Sequence, residues 1–383
     1  MNRARPRVLY YAHDHGSGHL RHAARAAATG AFELTVATAS AGADRVLPAD
    51  VGLEPLPSDV VPEHRQRGGS PLHYTPTGPV IRRRFARLLE VAQRVRPDAV
   101  VVDVSVETAL FLRLAGYPVI HRRMHGDRTD PGHELVYAEA DHLIAHYGAE
   151  LEDPEWQGRF GDKTTFLGAP DTAGRRGVRA GPRSGPAGTL ALLTPAATPA
   201  VTPAAAPLEL SVVTGTGGGG VRWTDLVRAA GQVPGARWHV YGPVRGAPGG
   251  PPGDAPGAGG PLPPNLILHG WTDDVPARLR EADLVVISAG YSAVADAAAS
   301  GRPVVLAPEE RPFGEQEHFA AAAHRAAGVP WCRWSDESAD WATAVRTALR
   351  DPASADRLAA AVLVDPAEYR RRWESAVQYA ASG

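Results

Sequence analysis

Cysteine occurs once in the 383 residues, as Cys332, so an internal disulfide cannot form and a Cys₄ or Cys₂His₂ zinc site is excluded. Lysine also occurs once, as Lys163, and the other positive charges are arginines. Neither sign of charge dominates: 40 Lys plus Arg face 42 Asp plus Glu, for a formal net charge of −2. That balance offers no bulk attraction to a phosphate backbone, and no nucleic-acid partner is expected. No apolar run approaches the roughly 18 residues a membrane helix needs. The basic start, Met1 to Arg7, is followed by only Val8–Ala12 before three histidines and Asp14, too short for a signal-peptide core. The expectation is a soluble, cytoplasmic protein.

What is plentiful is glycine (41), proline (35) and alanine, the output expected of a GC-rich bacterial genome. At roughly 150 residues per domain the length suggests two domains. Short apolar runs alternate with helix-length amphipathic stretches, the pattern of parallel α/β sheets. Strands are expected at Val8–Ala12, Glu33–Thr38, Asp98–Asp103, Pro118–His121 and His142–Ala145, with helices between them. Residues 171–207 lose all periodicity and read as a Gly/Pro/Ala-rich linker between a domain at 1–170 and a second at 208–365. In the second, Leu208–Thr214, Trp238–Tyr241, Asn265–His269, Leu284–Ser288 and Pro303–Ala307 are strand-like, and Val244–Pro264 reads as a floppy insertion. Asp365, Pro366 and Glu368 signal an N-cap, and Tyr369, Trp373 and Val377 recur every fourth residue, so residues 366–383 should form a helix with one apolar stripe.

Four segments carry candidate chemistry. After the first strand comes His15-Gly16-Ser17-Gly18-His19, a glycine turn into a helix start where backbone amides meet a ligand. Arg21 breaks the dinucleotide pattern GxGxxG, which disfavours a nicotinamide or flavin enzyme. An imidazole titrates near neutral pH, so His19 is a candidate proton acceptor for an attacking hydroxyl. A structural histidine at a helix start, or a metal ligand with His15, is the alternative. Asp103 ends the strand Ala99–Val102 and could orient such a histidine, or it or Ser105 could simply cap the next helix. The loop Gly217–Gly220 has no GK[ST], which rules out a Walker loop; its glycines, Gly217 and Gly218 included, face a ligand or merely connect. The last segment, Ser288-Ala289-Gly290-Tyr291-Ser292, opens a helix whose first amides suit a diphosphate, with Asp296 placed for a ribose hydroxyl. The polar loop Glu309–His318 that follows suits sugar hydroxyls, or is an ordinary acidic helix start.

Gly16-Ser17-Gly18-His19, the second glycine loop, and Ser288-Ala289-Gly290, Asp296, Gly301-Arg302-Pro303, Pro308 and Glu315-Gln316 together resemble the GT-B nucleotide-sugar glycosyltransferases, above all the peptidoglycan N-acetylglucosaminyltransferase family. The resemblance covers almost the whole chain. It implies two Rossmann-like domains with parallel sheets facing a central cleft. It implies His19 as base with Asp103 as its partner, Gly290 to Ser292 at the diphosphate, and Asp296 at the ribose. It further implies Glu315 and Gln316 at the donor sugar, and Trp271 and Thr272 beside the nucleobase. Ser288 stands where many relatives carry His or Arg, Asp296 replaces the usual Glu, and His121–Asp127 departs from the lipid-acceptor pattern.

The expected function is inverting transfer of a sugar from a nucleotide donor, a UDP-sugar first of all, to a hydroxyl acceptor that is a small molecule, natural product or lipid-linked sugar. No metal and no cofactor are expected, since no Asp-x-Asp triplet is present. Two alternatives stand beside it: a nucleotide-sugar 2-epimerase or hydrolase on the same fold, and an inactive nucleotide-sugar-binding subunit. The arginine-rich segment Arg82–Leu89 is either a solvated face or a peripheral contact with an anionic membrane.

Overall fold

The computed structural model describes residues 5–14, 18–61, 64–65, 69–174, 206–215, 220–248 and 263–382. His15, Gly16, Ser17, Gly217 and Gly218 lie outside them, as does most of the expected linker and of the glycine-proline insertion. Contacts divide the chain into two units, Met1–Pro170 together with Val364–Gly383, and Asp171–Leu363.

The first unit is a parallel sheet of β1 (Arg7–Tyr11), β2 (Glu33–Thr38), β3 (Gly52–Pro55), β4 (Ala99–Val102), β5 (Val119–Arg122), β6 (His142–Ala145) and β7 (Thr164–Phe166). Their spatial order is β3-β2-β1-β4-β5-β6-β7. Val8, Tyr10 and Ala12 enter one core cluster and Leu9 and Tyr11 another, so both faces of β1 are covered, as parallel strands require. The final helix, Pro366–Ser382, belongs here: Tyr369, Trp373, Ala376, Val377 and Ala380 pack on the face that holds Val8, Tyr10, Ile120 and Ile144. Asp365 caps it, its Oδ1 accepting the amides of Ala367 and Glu368 at 2.9 and 3.2 Å. Glu368 turns instead to Arg371 and Arg372, so the reciprocal half of a capping box is not made.

The short edge strands β3 and β7 carry no apolar run and were not legible in the sequence. A two-residue strand, β8 (Ala169–Pro170), closes the first stretch. In the second unit β9 (Leu208–Val213), β11 (Ala236–Tyr241), β13 (Leu266–Gly270), β14 (Leu284–Ile287) and β15 (Val304–Leu306) form a parallel sheet in the order β13-β11-β9-β14-β15. β10 (Val221–Arg222) and β12 (Val244–Arg245) pair in parallel, so the insertion expected from Val244 begins with an ordered strand. Among the described residues no helix is long and apolar enough to cross a membrane.

Candidate active site

In each sheet one strand is flanked by two whose crossovers run in opposite directions. The carboxyl ends of those strands therefore border an open crevice, where α/β sheets hold ligands. In the first unit the crevice lies between β1 and β4. His19 sits in the first turn of the Gly18–Ala27 helix that follows β1, and Asp103 is the residue after β4. His19 Nδ1 lies 2.9 Å from Asp103 Oδ2, near enough for charge pairing though off the line of a well-aligned hydrogen bond. The histidine side chain keeps 15% of its surface exposed and the aspartate none.

Asp103 is the hub of a buried network. Its Oδ1 accepts from Arg122 at 2.8 Å, and its Oδ2 accepts from the Tyr10 hydroxyl at 3.2 Å. Burial alone would raise its pKa, but Arg122 and His19 outweigh burial and hold the carboxyl well below the ordinary carboxylate value. Tyr10 is pushed upward, first by burial and then by Asp103 itself. Val104, the next residue, has φ of 68°, a left-handed conformation costly for a β-branched residue. That bend separates the two jobs left open by the sequence: Ser105 caps the Val106–Leu114 helix, accepting the Thr108 amide at 3.2 Å, while Asp103 is turned to His19 and Arg122.

Behind the dyad, His22 and His146 stack with ring centroids 3.8 Å apart, both almost fully buried. Burial first, and then neighbouring positive charge, keeps each well below its ordinary pKa, so both are neutral imidazoles. His121 is likewise pushed down to about 3, chiefly by burial. Tyr10, Arg122, His22 and His146 had no assigned role in the sequence reading. Arg122 was inside the quoted His121–Asp127 segment, but nothing in a linear motif says that its guanidinium turns inward.

In the second unit the corresponding crevice lies between β9 and β14. The Tyr291–Ser300 helix starts there on Gly290, with no side-chain cap, so its amino-terminal dipole faces the crevice without a capping side chain. A Cβ on Gly290 would stand 3.7 Å from Gln316 Nε2 and 3.9 Å from Ser288 Oγ, which places both side chains at this helix start. Gln316 is buried and its Oε1 accepts the Glu309 amide at 2.9 Å. Glu309 in turn accepts the Gly215 amide at 3.3 Å, tying the loops after β9 and β15 together. The buried Tyr291 ring packs on Phe319 with centroids 4.8 Å apart. Ala289 is buried, Ser292 Oγ is shielded without a hydrogen-bond partner among the described residues, and Asp296 and Glu315 are half-buried. Trp271 stands out with 66% of its surface exposed, its Nε1 donating to Asp273 at 2.9 Å, and Thr272 Oγ1 accepts the Asp274 amide.

Two clusters of metal-ligand type occur among the described residues, His73 with Asp130 and His133, and His13 with Asp14 and Asp59. In the first, Arg128 places a guanidinium nitrogen 2.8 Å from His133 Nε2, which seats a cation against the cluster. Neither cluster includes His19 or Asp103. The arginine-rich helix Pro79–Val95 is divided: Arg84 is buried against the Tyr11 hydroxyl, Arg87 pairs with Glu54 and Glu90, and Arg82 and Arg83 face solvent.

No family model matches the chain. A stretch of 74 residues is 39% identical to the UDP-N-acetylglucosamine–N-acetylmuramyl-(pentapeptide) pyrophosphoryl-undecaprenol N-acetylglucosamine transferase of Paramagnetospirillum magneticum, a match spanning 19% of each protein. Solved structures match nearly end to end. The spinosyn forosaminyltransferase SpnP is similar with a TM-score of 0.60 at 15% identity, over 98% of this chain and 100% of that one. The spinosyn rhamnosyltransferase SpnG, solved with thymidine diphosphate, gives 0.56 at 16% identity over 94% and 98%. MurG of Acinetobacter baumannii gives 0.54 at 13% identity over 96% and 95%. The architecture is thus that of two parallel-sheet α/β units. More narrowly, it is the GT-B glycosyltransferase fold.

Proposed function

We propose that this protein is an inverting glycosyltransferase that moves a sugar from a nucleoside diphosphate donor to the hydroxyl of an acceptor, a small molecule, natural product or lipid-linked sugar, without a metal ion. The reading rests on one observation above all, the 2.9 Å contact of His19 with a buried aspartate at the strand crossover point. With Nδ1 on the Asp103 side of the ring, 2.9 Å from its Oδ2, the opposite ring nitrogen is the one to take the proton of the attacking hydroxyl. Asp103, kept anionic by Arg122, stabilises the imidazolium as it forms. Inversion follows when that hydroxyl attacks the anomeric carbon on the side opposite the departing diphosphate.

The leaving charge is assigned to the amides at the start of the Tyr291–Ser300 helix, whose dipole favours an anion there. No Asp-x-Asp triplet is available to chelate a divalent ion, which supports metal independence. Donor binding by the second unit and proton removal by the first are therefore separable. Substituting His19→Ala should lower kcat by about 10²–10⁴-fold while leaving the Kd for a nucleotide sugar within about twofold. Turnover at the wild-type rate in that variant would remove His19 from the mechanism.

A further inference from the structure

Glu309 is the charged group the proposed reaction does not use. It lies in the short loop after β15 with only 5% of its surface exposed, and its Oε2 has no hydrogen-bond partner among the described residues. Its Oε1 accepts the Gly215 amide from the loop after β9, and its own amide donates to Gln316, whose Nε2 lies at Gly290, the cap of the Tyr291–Ser300 helix. A buried carboxyl is thus packed into the same strand-end crevice as the amides assigned to the diphosphate.

We infer that Glu309 is a proton-coupled determinant of donor binding, taking up one proton from solvent when the diphosphate of a nucleotide sugar enters this crevice. The inference rests on the donor-site reading above and deepens it. An anionic carboxylate beside an arriving dianion would oppose binding in a poorly hydrated site, whereas the neutral acid turns its unpartnered oxygen into a hydrogen-bond donor for a phosphate or sugar oxygen. The free protein is already biased that way: burial raises the Glu309 pKa, with Arg311 and the Gly215 amide only partly opposing it. Among the described residues, Arg311, on the same loop, is the charged group whose field bears on it. The neighbours from other elements, Gly215 and Gln316, are uncharged.

The sign follows directly. If the donor-bound form holds the proton more tightly than the free form, affinity is greatest at low pH. It then falls by up to about tenfold per pH unit between the two pKa values. The experiment is calorimetric titration of the full chain with UDP-N-acetylglucosamine and with dTDP-glucose from pH 5 to 8, in two buffers of different ionisation enthalpy. Nucleotide sugars are suitable because their phosphates are diesters of constant charge over this range. The wild type is expected to weaken with rising pH and to draw a proton from the buffer. Glu309→Gln, a neutral isostere that still accepts from Gly215, is expected to bind without proton uptake and to exceed the wild type at pH 8.

Should Glu309→Gln fold poorly, Glu309→Met carries the same expectation, and the wild-type proton count stands without either. Binding by the wild type that is strong and independent of pH, or proton uptake that persists in Glu309→Gln, overturns this inference while leaving the donor site intact. Failure of both nucleotide sugars to bind at every pH overturns the donor-site reading, and this inference with it.

Discussion

In the unit built on β1 to β7, the crevice past the strand ends is furnished with ionisable side chains that already pair with one another: His19, Asp103, Arg122 and Tyr10. In the unit built on β9 to β15, the matching crevice is furnished with glycines, small hydroxyls and helix-start amides, and its buried carboxyl group, Glu309, keeps one oxygen unpartnered among the described residues. The topology at the crossover is the same in both sheets, so the difference lies in the chemistry placed on it. One crevice stores its electrostatic energy internally and is complete before any ligand arrives. The other presents a helix start without a side-chain cap and ties its loops together only through the Glu309 and Gln316 hydrogen bonds.

Removing a polar group from each crevice should therefore have very unequal costs, and the largest effect is expected at Arg122. Arg122→Met leaves Asp103 charged and buried without its guanidinium, a loss on the order of 3–5 kcal/mol of stability in chemical denaturation. Adding Asp103→Asn should return part of that loss, because the uncompensated charge is then gone. Ser292→Ala, which deletes a hydroxyl that has no partner among the described residues, should change stability by no more than about 0.5 kcal/mol. Equal costs at the two positions would erase the distinction.

The same contrast explains what the sequence disclosed. The core strands were legible because Ala99–Val102 and Leu284–Ile287 are continuous apolar runs, and the crevices were legible because a glycine or a polar residue follows each run. His19, Asp103 and Gly290 announce themselves by position at strand ends. Arg122 and Glu309 do not, since an arginine or glutamate is ordinarily a surface residue and only tertiary packing turns it inward. The stacked pair His22 and His146 is separated by more than a hundred residues, and no local pattern couples them. The edge strands β3 and β7 escaped notice for another reason: half-exposed edges need no apolar run.

That histidine pair supplies the next test. Both rings stay neutral in the folded chain because burial lowers their pKa values, whereas in the unfolded chain they protonate near 6.5. Below about pH 6.5 the unfolded state therefore binds protons that the folded state refuses. Stability falls with acidification by up to about 1.4 kcal/mol per pH unit for each histidine. Urea denaturation at pH 7.5, 6.5 and 5.5 should show this slope, with His121 adding to it in the same direction. In the double variant His22→Phe with His146→Phe the slope should shrink. A slope that survives the double substitution would assign it to other groups.

The smallest expected effect concerns the amide-built crevice alone. Gly290 has φ of −78° and ψ of 140°, which any residue adopts, and an added Cβ would meet Gln316 and Ser288 only at ordinary contact distances. Gly290→Ala should thus fold normally, within about 0.5 kcal/mol of the wild type. A methyl group at the helix cap nevertheless stands where an anion approaches the first-turn amides, and losing one good hydrogen bond weakens nucleotide-sugar binding by roughly 2–10-fold. A calorimetric Kd beside a urea titration measures both quantities on one sample. Unchanged affinity together with unchanged stability would mean that the anion does not dock on this helix start, and the division of chemistry between the two sheets would have to be drawn elsewhere.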